Sequence, residues 1–336
     1  MKKIFTLVMV FVLAQSMSNA QEFIQKVNYR GAFAPAPSPM WTSGWTEYNP
    51  QTKAYGTANV NVDGITVGTV VGSDVHITTN TTFTSNNIYL LKGAVYVDSL
   101  VTLTIEPGTV IRGDNIVANS SLIIRRGAKL LAEGTPCNPI VFTSNKVAGS
   151  RLPGDWGGII LLGRGSVNQT GGVSNIEGLT IANQTQFGGG STPNDADTSG
   201  ILKYVRIEYG GYVFTANKEI NGLTMGAVGR GTTIDYVQCS FVNDDAFEWY
   251  GGTNNCSFLY AENNDDDNFD WDLGYSGNLN ALYSINTNTN ASSDSRGIEA
   301  DGNPDNNAAT PFTNPTVNEV TLIGRGTTFA GTQLQG

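Results

Sequence analysis

From position 59 onward the apolar residues fall into short runs separated by Gly, Pro and Asn: YLLKGAVYV at 89–97, LTIEPGTVIRGD at 103–114, LIIRRGAKLLAEGT at 122–135, PIVFTS at 139–144 and WGGIILLG at 156–163. Each run is rich in β-branched residues and bounded by turn formers. No window holds an apolar period of 3.6 long enough for a helix, so the pattern predicts strands throughout. Further runs follow at 204–211 and 223–241. The runs also echo one another. Phe247-Glu248-Trp249 superposes on Phe269-Asp270-Trp271 with a shift of 269 − 247 = 22 residues. Cys239-Ser240-Phe241 superposes on Cys256-Ser257-Phe258 with a shift of 17, and Ile105-Glu106-Pro107-Gly108 on Ile124-Arg125-Arg126-Gly127 with 19. Repeats of about twenty residues, built from short strands and tight turns, are the signature of a β-solenoid, in which each rung buries its apolar face only against its neighbours.

The flanks of this pattern read differently. Residues 1–20 carry Lys2 and Lys3, an apolar run at 4–14 and small residues at Ser18 and Ala20. That is a secretory leader, too short to span a membrane, and with no cysteine after it no lipid anchor is expected. Residues 21–58 hold Pro35, Pro37, Pro39 and Pro50 with Trp41, Trp45, Tyr48 and Tyr55 and no periodicity, an irregular lead segment whose aromatics pack locally or on the next domain. The β-helix occupies 59–336, opening with Thr-rich runs at 60–82 that suit capping strands at an open end. Residues 165–200 are rich in Gly, Asn and Thr and poor in core residues, and are expected to project as an insertion loop. With no polar cap before Gly336, a further C-terminal part that closes the helix is expected.

Charge narrows the partners. Without the leader the basic count is 19 − 2 = 17 against 29 acidic residues, a net charge of 17 − 29 = −12, so nucleic acid and anionic membrane surfaces are poor partners. Three cysteines are too few for a disulfide scaffold. Cys239 and Cys256, matched by the 17-residue shift, are candidates for one bridge or a buried thiol pair, with Cys137 left over. His76 is the only histidine, which removes His-rich zinc sites, Ser-His-Asp triads and Cys-His dyads unless His76 itself serves. Its Thr- and Asn-rich surroundings predict an exposed structural residue.

LTIEPGTVIRGD, PGDWGGIILLG at 153–163, LKYVRIEYGG at 202–211 and NDDAFEWYGG at 243–252 together resemble a group of secreted Gram-negative bacterial proteins with a right-handed parallel β-helix, the pectin-lyase-like fold. The resemblance runs from about Trp41 to the chain end. It implies an all-β chain acting outside the cell, and no particular activity. Pectate lyases and polygalacturonases share that fold without these phrases, and kinship of fold does not transfer chemistry.

The candidate chemistry lies at 235–305, where 14 acidic residues face a single basic one, Arg296. Alternation puts Phe247 and Trp249 on one face with Glu248 on the other. Likewise Phe269 and Trp271 oppose Asp270 and Asp272, and Ile298 and Ala300 oppose Glu299 and Asp301. Stacked at about 4.8 Å per rung, the outward column is then Glu248, Asp270 or Asp272, and Glu299 or Asp301. Beside it a turn column sets Asp244 and Asp245 over Asp265, Asp266 and Asp267.

Two like charges about 5 Å apart at an effective dielectric near 20 repel by roughly 3 kcal/mol. A ladder of them must be relieved by raised pKa values, by splaying into water or by bound cations, and hard oxygen ligands without histidine favour Ca²⁺. Three readings follow: a solvated face, a Ca²⁺ site built from these ten acids, or the groove of a polysaccharide lyase or glycoside hydrolase using Glu248, Asp270 and Arg296. The segment DDDNFDWDLGYS lacks the central Gly and terminal Glu of an EF-hand loop. Trp249, Tyr250, Trp271, Tyr275, Tyr209 and Tyr212 would bind sugar rings if they faced outward. Tryptophans at inward positions predict core, whereas Tyr212 and Tyr250, beside Gly pairs, are expected at the surface. The expectation is an exported, non-enzymatic β-helix that binds a glycan or another cell-surface ligand through a Ca²⁺-loaded face.

Overall fold

The computed structural model describes residues 27–71, 74–176, 179, 184–215, 218–287, 291–292 and 295–324. The expected leader at 1–20 and the chain end beyond 324 lie outside the described residues. No helix among those residues is long and apolar enough to cross a membrane. Strands of two to nine residues stack into two large parallel sheets of twelve and nine strands, the geometry of a parallel β-helix. The first face is the nine-stranded sheet. Eight of its strands are parallel, running from Asp74–Ile77 through Ala94–Val97, Ser121–Ile124, Gly158–Leu162, Leu223–Gly226, Phe247–Tyr250 and Phe269–Asp272 to Glu299–Ala300. Thr69–Val71 pairs antiparallel with the first of them and covers that edge.

The other two faces merge along the chain. In early rungs they are separate strands: Lys129–Glu133 and Ile140–Ser144 are divided by a turn. The long strand Gly200–Glu208 then pairs with both, its first half on Lys129–Glu133 and its second on Ile140–Ser144. From there each rung crosses the corner in a single left-handed residue: Tyr204, Tyr236, Phe258, Ala281 and Glu319, at φ 49, 55, 56, 57 and 57. Such a conformation costs a non-glycine residue about 1 kcal/mol. Stacking offsets it here, with ring centroids 4.6 Å apart for Tyr204 and Tyr236 and 4.4 Å for Tyr236 and Phe258. The lead segment lies on this column, Trp45 edge-on to Tyr204 and Tyr236 and Trp41 to Tyr236 and Phe258.

Register decides which sequence echoes are real. Phe247 pairs with Phe269 and Trp249 with Trp271, so the 22-residue shift is a true rung. The 17-residue shift is not: Cys239 lies beside Ala261, and Cys256 beside Ile234 and Leu279, five residues away along the strand direction. Both are free buried thiols, so neither a bridge nor a stacked thiol pair forms. The 19-residue shift superposes two different corners. Ile105 pairs with Ala132 in one sheet while Ile124 pairs with Val97 in the other. The two stretches look alike because each strand runs into a glycine-centred turn, at φ +84 for Gly108 and +82 for Gly127.

The segment after Gly158–Leu162 does not project. Its short antiparallel pair, Ser174–Asn175 with Gln186–Phe187, folds back over the outer side of the first face. There Val167, Ile176, Leu179 and Phe187 bury themselves against Tyr96, Ile123, Ile160 and Leu162. Sparse apolar residues in a polar sequence are enough to anchor it, since each buried large side chain contributes about 1.5–3 kcal/mol. Gly226 makes room: a Cβ there would stand 2.6 Å from the Phe187 ring.

Candidate functional site

One column of outward positions runs the length of the first face. Successive register pairs link His76, Tyr96, Ile123, Ile160, Thr224, Glu248, Asp270 and Glu299. On the inner side of the same strands Phe247, Trp249, Phe269 and Trp271 fill the core, with Phe247 and Phe269 stacked at 5.6 Å. Core aromatics thus hold the backbone that presents the acids.

The acidic half is not a solvated face. Glu248 is 7% exposed and Asp267 1%. Ligand oxygens of Asp245, Glu248 and Asp270 all lie within 4.8 Å of one another, as do those of Asp244, Asp245 and Asp266. Asp245 belongs to both groups, so five carboxylates from two rungs form two adjoining groups that meet at Asp245. Glu248 also takes a hydrogen bond from Asn221 Nδ2, and its carboxyl is bonded to the Tyr250 hydroxyl.

The turn column has a structural task as well. Asp245 N donates to Asn221 Oδ1 at 3.2 Å, Asp267 N to Asp245 Oδ1 at 2.9 Å, and Arg296 N to Asp267 Oδ1. Each side chain caps the backbone of the next rung, satisfying a donor that a turn would otherwise bury unpaired.

Burial and mutual repulsion raise the pKa values of these acids. Burial first, then Asp244 and Asp270, raises the Asp245 pKa well above the carboxylate range. Burial, then Asp245 and Asp270, does the same to Glu248. Burial, then the Glu299 carboxyl bonded to it, pushes Asp267 up to about 8; burial and the Glu299 charge push Asp270 up to about 6. Asp272, stacked on Tyr250, rises through burial and the charges of Asp270 and Asp301. One outer oxygen each of Asp270 and Asp272 is buried without a hydrogen-bond partner. A cluster in this state takes up either protons or a cation, and oxygen-only donors of this density fit Ca²⁺.

Not every candidate joins. Arg296 is occupied, its Nη1 3.5 Å from Asp267 Oδ2 and 3.0 Å from Glu299 Oε1. Of the ten expected ligands, Asp265, Asp267, Asp272, Glu299 and Asp301 stand outside both groups, Asp301 exposed. The aromatic sugar platforms are corrected. Trp249 and Tyr275 are 0% exposed and Trp271 5%, because the strand alternation turns them into the core, and Tyr209 is buried too. Tyr250 is half-buried with its ring on Phe187, centroids 5.9 Å apart, so the folded-back insertion occupies the face it would offer. Tyr212 is half-buried beside the strand Val213–Thr215. His76 is likewise buried rather than exposed. Its ring lies on Tyr96 at 5.0 Å and its Nδ1 meets Asp98 Oδ1 at 2.8 Å. Asn221, 27 residues before Glu248, was invisible in the sequence, since only the register brings it to the cluster.

With this geometry in hand, comparison with known families is informative. The profile of the pectate-lyase-like β-helix domain matches residues 75–335. The chain belongs to that family. Neither a curated protein nor a solved structure matches it. The family match covers every rung of the first face from Val75 on, the acidic half included, and carries the fold without assigning a reaction to it.

Proposed function

We propose that this β-helix is an exported, non-enzymatic binding protein whose acidic face holds Ca²⁺ and, through it, a glycan or another ligand at the surface of a Gram-negative cell. The observation that carries the reading is the gathering of Asp244, Asp245, Glu248, Asp266 and Asp270 into two groups of three that share Asp245. Asp245, Glu248 and Asp270 would hold the ion, which supplies a site for ligand oxygens at an otherwise repulsive surface. A binding role is favoured over hydrolysis because the Glu248 and Asp270 carboxyls share a hydrogen bond. Glycoside hydrolysis needs carboxyls about 5 Å or more apart with the sugar between them. Arg296, the lyase base the acidic stretch offered, is engaged by Asp267 and Glu299.

Calorimetry with Ca²⁺, followed by a panel of acidic and neutral polysaccharides, tests this. Saturable Ca²⁺ binding, loss of at least about ten-fold in affinity for Glu248→Gln/Asp270→Asn, and polysaccharide binding without release of unsaturated or reducing ends are expected. Absence of any Ca²⁺ effect on binding or melting sinks the metal site. Release of such ends moves the protein to the lyases or hydrolases.

A further inference from the structure

Three arginines meet where the early rungs of the first face turn their corner. Arg125 and Arg126 follow the strand Ser121–Ile124 and Arg164 follows Gly158–Leu162. With Ser99 and with Gln184 and Gln186 of the folded-back insertion, they line a cavity of about 360 Å³. Gly127, at φ +82, makes the turn and leaves Arg164 its place, since any side chain there would meet Arg164 Nη2 at 2.7 Å.

Arg126 is aimed by the insertion. Its Nη1 donates to the Gly188 carbonyl at 2.8 Å and its Nη2 to Gln186 Oε1 at 2.7 Å. Burial, then the nearby Arg164 and Arg125 charges, lowers its pKa. Arg125 is balanced by Asp98, at 2.8 Å. Among the described residues no carboxylate pairs with the guanidinium of Arg126 or Arg164. The buried Oε1 of Gln184 has no hydrogen-bond partner either. A chain with 29 acidic residues thus gathers guanidiniums around a cavity, and among the described residues two of them have no carboxylate partner.

We propose that this pocket binds a phosphate monoester carried on a small hydroxylated molecule such as a sugar. A phosphate monoester brings a charge of about −1.5 to −2 at neutral pH and three strong acceptor oxygens, which matches two unbalanced guanidinium forks; a carboxylate brings one charge. Among the described residues the lining has no apolar side chain, and Ser99, Gln184 and Gln186 offer hydroxyl-reading groups for the carrier. The cavity is within the size of small-ligand sites, about 300–1,000 Å³.

The test is titration calorimetry in EDTA, so that its outcome is separate from that of the Ca²⁺ site. The probes are a hexose 6-phosphate, inorganic phosphate, a hexuronic acid and the neutral hexose. The hexose phosphate is expected to bind at one site, at least about ten-fold tighter than the uronic acid or inorganic phosphate, and weaker as salt rises. The neutral hexose should give no signal. Arg164→Gln should lose at least about ten-fold in affinity with unchanged circular dichroism and melting, because no hydrogen bond among the described residues uses that guanidinium; Glu248→Gln should bind as the parent does. No saturable binding of the hexose phosphate at millimolar concentration overturns the proposal, as does an unchanged affinity in Arg164→Gln. A uronic acid bound as tightly overturns the charge match, and inorganic phosphate bound as tightly overturns the carrier.

Discussion

The two halves of the first face share one backbone and one register, yet they carry opposite chemistry. In the early half the outward column is His76, Tyr96, Ile123 and Ile160, and the apolar members lie under the insertion. In the late half it is Glu248, Asp270 and Glu299, with Tyr250 of the neighbouring column stacked on Phe187 of the insertion. A parallel β-helix fixes only where side chains stack. Whether a stack becomes a second core or a charged cluster depends on one residue per rung, and Thr224 is where the column changes from one to the other.

The sharpest way to break the contrast is to put the chemistry of the late half into the early one. Ile160→Asp buries an acid with no partner beneath the insertion and should destabilise the protein by on the order of 4 kcal/mol, read from the urea midpoint. Phe187→Ala removes the cover rather than the column. It should cost about 3 kcal/mol and make the insertion cleavable by protease under native conditions.

A buried acid away from the column sharpens the comparison by pH. Burial raises the Glu262 pKa from 4.5 to about 8, against the opposing bonds from Tyr260 and Gln238. The fold therefore holds a proton that the unfolded chain releases. The stability this contributes is complete below about pH 4.5 and is lost as pH rises through 8, a fall that Glu262→Gln should abolish in denaturation curves across that range. Smallest of all, Glu248→Gln in EDTA should be neutral or stabilising by about 1 kcal/mol, since it relieves repulsion while keeping the shape, and the same variant should erase any rise in melting temperature caused by Ca²⁺.

Much of this was legible in the chain because alternation and turn chemistry are local. The core placement of Phe247, Trp249, Phe269 and Trp271 and the stacking of Glu248 on Asp270 follow from one 22-residue echo. The false echoes at Cys239 and Ile105 show the limit: every corner of a solenoid uses the same turn residues, so similarity of corners does not tell which rung faces which. Burial was the second blind spot. His76, Tyr250 and Glu248 read as surface positions, and each is covered by a group distant in sequence: Tyr96, Phe187 and Asn221 respectively.

By itself the sequence determined that the chain is a stack of short strands, that its aromatics at alternate positions form the core, and that its acids gather in one stretch. These are consequences of side-chain period and of composition. Only the tertiary structure decided that four of those acids gather around Asp245, and that a polar insertion folds down as a lid over half of one face. It also decided that Arg125, Arg126 and Arg164 share a cavity. The reason is that register along the helix axis is set by how neighbouring rungs pack, and insertions of any length can separate residues that register then places side by side.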